Sequence, residues 1–112
     1  MARKGKGGPG SATKRAPLPR CATHTKQFVK DWKRLNGAGR HDMSRLKHAM
    51  SLLVANDAPL PPEWKDHPLA GEWNDHRECH IGGDFLLIYT LEERENLIVF
   101  VRIGTHAELF RE

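Results

Sequence analysis

Apolar residues change their spacing along the chain, and each change predicts a different kind of element. After Thr25, Phe28, Trp32 and Leu35 recur at intervals of three and four while Lys26, Lys30, Lys33 and Arg34 take the other faces. That period predicts an amphipathic helix with Thr25 as its N-cap. The run Asn36-Gly37-Ala38-Gly39 breaks it, because glycine tolerates the positive φ of a helix C-terminus. Asp42 then caps a second helix with an apolar stripe of Leu46, Ala49, Met50, Leu53 and Val54, ending near Ala55. Two helices joined by a short break predict a hairpin. Prolines 59, 61, 62 and 68 make 56–71 an ordered but irregular connection, pinned by Trp64 and Leu69. Beyond Gly71 the period falls to two: 73–81 reads as a strand, Gly82-Gly83 as a turn and 85–91 as the hairpin partner. A charged turn at 92–96 leads to a strand at 97–102; Gly104 ends it, and Thr105 caps a short final turn through Phe110. Residues 18–23, beside Pro17 and Pro19, suit a strand at a sheet edge. The order β-α-α-β-β-β predicts an α+β domain, with the N-terminal helix hairpin packed on one face of an antiparallel sheet.

Length and charge narrow the picture. A chain of 112 residues suits one small domain, so large multidomain enzymes are excluded. The longest apolar runs, 85–89 and 97–101, have five residues each, whereas a membrane span needs about 20. The basic N-terminus lacks the apolar stretch of a secretory signal, so a cytoplasmic protein without a membrane partner is expected. Cys21 and Cys79 offer one bridge at most, not the dense framework of small secreted domains, and are read as free thiols. The formal charge of +4 is unevenly spread. Residues 1–20 hold six basic residues and no acidic one, among four glycines and three prolines, and are expected to be a disordered basic tail. The folded domain expected over 21–112 therefore carries −2: +4 lies in 21–62 and −6 in 63–112. A basic arm and basic helices attract polyanions, while the acidic half must hold an anion with few placed cations.

Candidate chemistry concentrates in that acidic half. His67, His76, His80 and His106 lie there, and imidazoles titrate where proton exchange with a substrate is useful. His76 and His80 have the spacing of a zinc pair on a helix. On a strand, four residues span roughly 13 Å, too far for two ligands about 2.1 Å from one ion, so no metal is expected. Alternation places His76, Glu78 and His80 on one strand face and Arg77, Cys79 and Ile81 on the other. Arg102, closing an apolar run, is placed either to clamp a phosphate bidentately or to pair with Glu78 or Asp84. Phe85 and Phe110 either stack on bases or pack in the core.

A set of ordered motifs adds a resemblance. Lys65-Asp66-His67-Pro68-Leu69, Gly71-x-Trp73, Arg77-Glu78-Cys79-His80, the run from Asp84 and Phe85 to Tyr89, and Arg102-x-Gly104-Thr105-His106-Ala107-x-Leu109-Phe110 resemble the YafQ branch of the RelE-like bacterial toxins. The likeness spans about 21–112, includes Asp42-Met43 and Leu46-Lys47, and leaves the basic tail unmatched.

The resemblance implies a microbial-ribonuclease-like fold and a type II toxin held in check by a cognate antitoxin. It implies cleavage of mRNA in the ribosomal A site without a metal or other cofactor. The ribose 2′-hydroxyl attacks the adjacent phosphate, giving a 2′,3′-cyclic phosphate and a free 5′-hydroxyl, a reaction that needs a base, an acid and charge stabilisation. By position, His67, His80, Asp84 and His106 resemble the catalytic histidines and aspartate, Arg102 the phosphate-stabilising cation and Phe110 a substrate contact. His67 or His80 would act as base, His106 as acid, and Asp84 would orient or tune an imidazole. Glu78 stands where the family has aspartate and Phe85 where it often has tryptophan; the second keeps a stacking surface. His76 matches no motif position. The alternative is an inactive RelE-like protein that binds RNA or antitoxin as a regulator.

Overall fold

A computed structural model describes residues 18–110. The expected disordered arm lies outside the described residues over 1–17. Residues 18–20, read as its end, are tied to the fold: Arg20 donates its N–H to the Val54 carbonyl at 2.8 Å and its guanidinium to the Leu53 carbonyl at 2.7 Å.

The elements follow the predicted order. Strand β1 covers Cys21–His24, helix α1 Lys26–Ala38 and helix α2 Met43–Ala55. A short irregular stretch then carries β2, His67–Pro68, before β3 at Arg77–Gly82, β4 at Phe85–Glu92, β5 at Leu97–Thr105 and helix α3 at His106–Phe110. Both cap predictions hold. Thr25 accepts from the Phe28 N–H and Asp42 from the Arg45 N–H, and α1 closes on Gly39 with φ 69°, a left-handed conformation that favours glycine. Trp64 pins the connection as expected. It is buried, with the Arg45 guanidinium 4.1 Å above its ring and the same side chain donating to the Ile81 carbonyl.

The sheet corrects the expected antiparallel architecture. Its order is β1-β5-β4-β3-β2, and β1 runs parallel to β5, with Cys21 opposite Leu97 and His24 opposite Phe100, so the sheet is mixed. The two-helix crossover between β1 and the later strands makes this possible, since parallel neighbours need a long connection and a hairpin turn cannot supply one. The strand expected from residue 73 starts instead at Arg77, because 71–73 coils into a single 3₁₀ turn that opens with Gly71 at φ 67°. β4 is central and apolar on both faces, which accounts for its unbroken run from Phe85 to Tyr89. One face carries Cys79, Ile81, Leu87, Tyr89, Phe100 and Ile103 and packs on Phe28, Leu35, Leu46, Ala49 and Leu53 of the helices. The other carries Leu86, Ile88 and Leu109, flanked by Leu69, Trp73, Val101 and Phe110, and is covered only by short elements. That thinner cover leaves room for a site.

Candidate active site

Strand register assembles the first group of side chains. His67 of β2 lies opposite Glu78 of β3, and directly opposed residues project to the same side. His80, two positions along β3, shares that face. His67 Nε2 and His80 Nε2 each lie 3.3 Å from Glu78 Oε2, and the imidazole centroids are 6.0 Å apart. Glu78 is only 4% exposed, whereas the two rings are open to solvent. Its Oε1 is buried without a hydrogen-bond partner among the described residues. His67 Nδ1 sits 2.8 Å from the Lys65 carbonyl and must donate to it. His67 Nε2 is thus the ring nitrogen that faces the carboxylate. The ligand-capable atoms lie within 4.8 Å of one another, a little more than the roughly 4.2 Å that two bonds to zinc span end to end. Sequence spacing had offered His76 and His80 as the only zinc pair and excluded it. The closer group comes from cross-strand pairing, which the linear spacing does not contain.

The second group surrounds α3. Thr105 Oγ1 accepts from the Glu108 N–H at 3.2 Å, and Glu108 Oε1 accepts from the Thr105 N–H at 2.8 Å, a reciprocal capping box. Gly104 lets it close, because a Cβ there would stand 2.8 Å from Glu108 Oε1 and 3.2 Å from Leu109 Cδ2. Asp84 Oδ1 accepts from the His106 main-chain N–H at 3.2 Å. The carboxylate thus anchors the backbone that carries His106, where an imidazole contact had been expected. The His106 ring leans on Phe110 at 4.8 Å, and Phe110 in turn meets the edge of Trp73 at 5.8 Å.

Arg102 completes the set. Its Nε and Nη2 donate to Asp31 Oδ2 and Oδ1 at 2.9 and 3.0 Å, so its partner is Asp31 of α1 and neither Glu78 nor Asp84. The bond from Asp31 raises its pKa above the ordinary guanidinium value, and Arg102 stays a cation. Across the sheet, Glu78, Ile88 and Arg102 form one row, and His80, Leu86 and Gly104 the next. The backbones of Glu78 and Arg102 are therefore two strands, roughly 10 Å, apart, with His106 just past the end of the second row.

Two expected residues take other places. Phe85 is buried, 3% exposed, with the His41 ring stacked on it at 4.4 Å, so it supports the core and offers no open stacking face. Its neighbours Leu87 and Tyr89 put it on the helix-covered side of β4. His76, expected as a surface residue, is half-buried: it precedes β3 and packs edge-on against Trp73 at 5.1 Å. Burial, with Asp66 and Glu78 nearby, pushes the Cys79 thiol up to about 12, so it stays protonated and is no nucleophile. The residue that sequence reading missed is Asp31, 1% exposed. Its signal was a carboxylate between Phe28 and Leu35, at helical spacing on the apolar stripe.

The described residues thus bring two imidazoles onto a buried carboxylate, a third imidazole beside an aromatic ring, and a guanidinium held by Asp31, groups that acid–base chemistry on a phosphodiester can use. Residues 20–111 match the family described as "Bacterial toxin of type II toxin-antitoxin system, YafQ". The chain is 43% identical over 93 residues to the mRNA interferase toxin YafQ of Escherichia coli, covering 83% of this chain and 98% of that one. Among solved structures, the E. coli DinJ-YafQ toxin-antitoxin complex superposes with a TM-score of 0.73 at 43% identity, over 83% of this chain and 99% of that one. A metal-bound toxin from Helicobacter pylori gives 0.73 at 42%, over 81% and 99%. The chain belongs to the YafQ family of type II toxins and is an endoribonuclease.

Proposed function

We propose that this toxin halts translation by cutting mRNA in the ribosomal A site, with acid–base chemistry carried by its own side chains. The observation that carries the reading is the buried Glu78 carboxylate between two open imidazoles. An oxygen left without a protein partner is costly, about 1–3 kcal/mol, and such features persist at sites where chemistry uses them. His67 or His80, oriented by Glu78, takes the proton of the ribose 2′-hydroxyl, whose oxygen attacks the adjacent phosphorus. Arg102 stabilises the charge that gathers on the non-bridging oxygens. The P–O5′ bond breaks, His106 gives its proton to the leaving 5′-oxygen, and the products are a 2′,3′-cyclic phosphate and a 5′-hydroxyl. Asp84 fixes His106 through its main chain, and Phe110 supplies a surface beside that ring for the substrate. The basic residues of 1–62 draw the protein to ribosomal RNA, which suits the acidic balance of the half that carries the chemistry.

The toxin works in the cytoplasm and its protein partner is the cognate antitoxin, as DinJ is for the E. coli relative. A regulator without activity is disfavoured, since base, acid and cation positions are all filled. A second reading concerns metals, since an H. pylori relative is described as metal-bound. An ion on the His67, Glu78 and His80 trio would occupy the atoms that the base needs, and would therefore act as an inhibitor.

Mapping RNA 5′ ends after induction tests the main reading. Wild type should stop growth and produce new 5′-hydroxyl ends within codons, and His106→Ala should do neither while keeping its fold and its antitoxin binding. Undiminished toxicity and cleavage in His106→Ala would overturn the assignment of the acid.

A further inference from the structure

The approach of Arg102 to the substrate is set by a residue on a different element. Asp31 projects from α1 into the layer between that helix and β5. Its carboxylate accepts from Arg102 Nε and Nη2 at 2.9 and 3.0 Å, from the Ile103 N–H at 3.2 Å, and from Gln27 Nε2 at 3.1 Å. Arg34 Nη2 adds a longer contact at 3.4 Å. Every accepting position is used, which is why a fully buried carboxylate is tolerated. A purely structural aspartate would be satisfied by the Ile103 N–H and Gln27; here the two shortest bonds go to a guanidinium. A guanidinium is planar and rigid, so two bonds to one carboxylate fix its plane and the direction of its remaining donors. Arg102 Nη1 has no hydrogen-bond partner among the described residues, and the Arg102 side chain keeps 25% of its surface exposed.

The same helix also steadies the element that carries the acid. Arg34 Nη1 donates to Glu108 Oε2 at 2.9 Å, while the other oxygen of Glu108 holds the Thr105 N–H at the start of α3. Helix α1 is thus keyed to Arg102 directly and to the base of His106 through one ion pair.

We propose that Asp31 is a positioning residue for RNA cleavage, locking the Arg102 guanidinium so that its Nη1 edge is presented to the scissile phosphate. This rests on the reading of Arg102 as the cation that meets that phosphate. Asp31 never touches the substrate; it removes the rotational freedom that a long side chain would otherwise lose on reaching the transition state.

Asp31→Asn is the informative change, because the amide still offers an oxygen to the Ile103 N–H but opposes one guanidinium donor with an NH₂. Single-turnover cleavage of a short mRNA on programmed bacterial ribosomes should slow by roughly ten- to a hundredfold, with toxin affinity for the ribosome altered by less than about twofold. In an Arg102→Ala background the same change should add less than about twofold, since the residue it acts through is gone. Equal losses in the two backgrounds, or wild-type speed in Asp31→Asn beside a slow Arg102→Ala, would overturn the proposal while leaving the role of Arg102 standing. Wild-type speed in Arg102→Ala would remove both. If Asp31→Asn does not fold, Asp31→Ser carries the same comparison, and failure of both to fold would make Asp31 a structural residue and end the proposal.

Discussion

Replacing Glu78 by methionine separates what the site needs from what the fold needs. The side chains have similar volume, so the pocket beside Ile88 stays filled, while both carboxylate oxygens disappear. Removing the unpartnered Oε1 relieves a desolvation penalty of about 1–3 kcal/mol. Against this stand two contacts at 3.3 Å to imidazoles that solvent can reach, each worth about 0–1 kcal/mol. The expected balance lies between about 1 kcal/mol of destabilisation and about 3 kcal/mol of stabilisation, and each kcal/mol corresponds to about 4–8 °C in Tm for a domain of this size. Cleavage should fall by about 10²–10⁴-fold, the usual contribution of a positioned acid–base group. Thermal unfolding by circular dichroism and cleavage of ribosome-bound mRNA, measured on one preparation, give the two quantities. A variant whose Tm drops by more than about 8 °C would show that Glu78 holds the sheet together, and one that cleaves at the wild-type rate would remove it from the chemistry; either result refutes the reasoning.

Two further outcomes follow from the same geometry. Added zinc should inhibit cleavage and a chelator should restore it, because His67, Glu78 and His80 would be spent as ligands; full activity in saturating zinc would show that the trio takes no ion or is not needed. Acid stability should also report on Asp31. Burial pushes its carboxyl up, but the bonds from Arg102, Gln27 and the Ile103 N–H outweigh this and hold it below the usual carboxylate value. A group depressed in the folded state stabilises above its unfolded pKa of about 4, and that stability is lost as pH falls through the lower folded value. The Tm of wild type should therefore fall faster than that of Asp31→Asn below about pH 4, and parallel curves would count against it.

Much of this protein was legible in its sequence, for a local reason. Helices α1 and α2, with Thr25 and Asp42 as caps, and the β3–β4 hairpin follow from periods of 3.6 and two, which neighbouring residues set among themselves. Charge partition and the ordered motifs supplied only the expectation, proposed above, that the basic half attracts RNA and that His67, His80, Arg102 and His106 carry the chemistry. Tertiary structure decided what depends on contacts between distant residues. The parallel seat of β1 beside β5 needed the crossover to be complete. The 3.3 Å contacts around Glu78 needed the register of β2 on β3, and the burial of Phe85 needed His41 from the inter-helix loop. Asp31, 71 residues from Arg102 in the chain, carried only the signal of a charge on an apolar stripe; what it binds was settled when α1 came to lie across β5. Spacing along a chain determines which face a side chain takes, and only packing determines what that face meets.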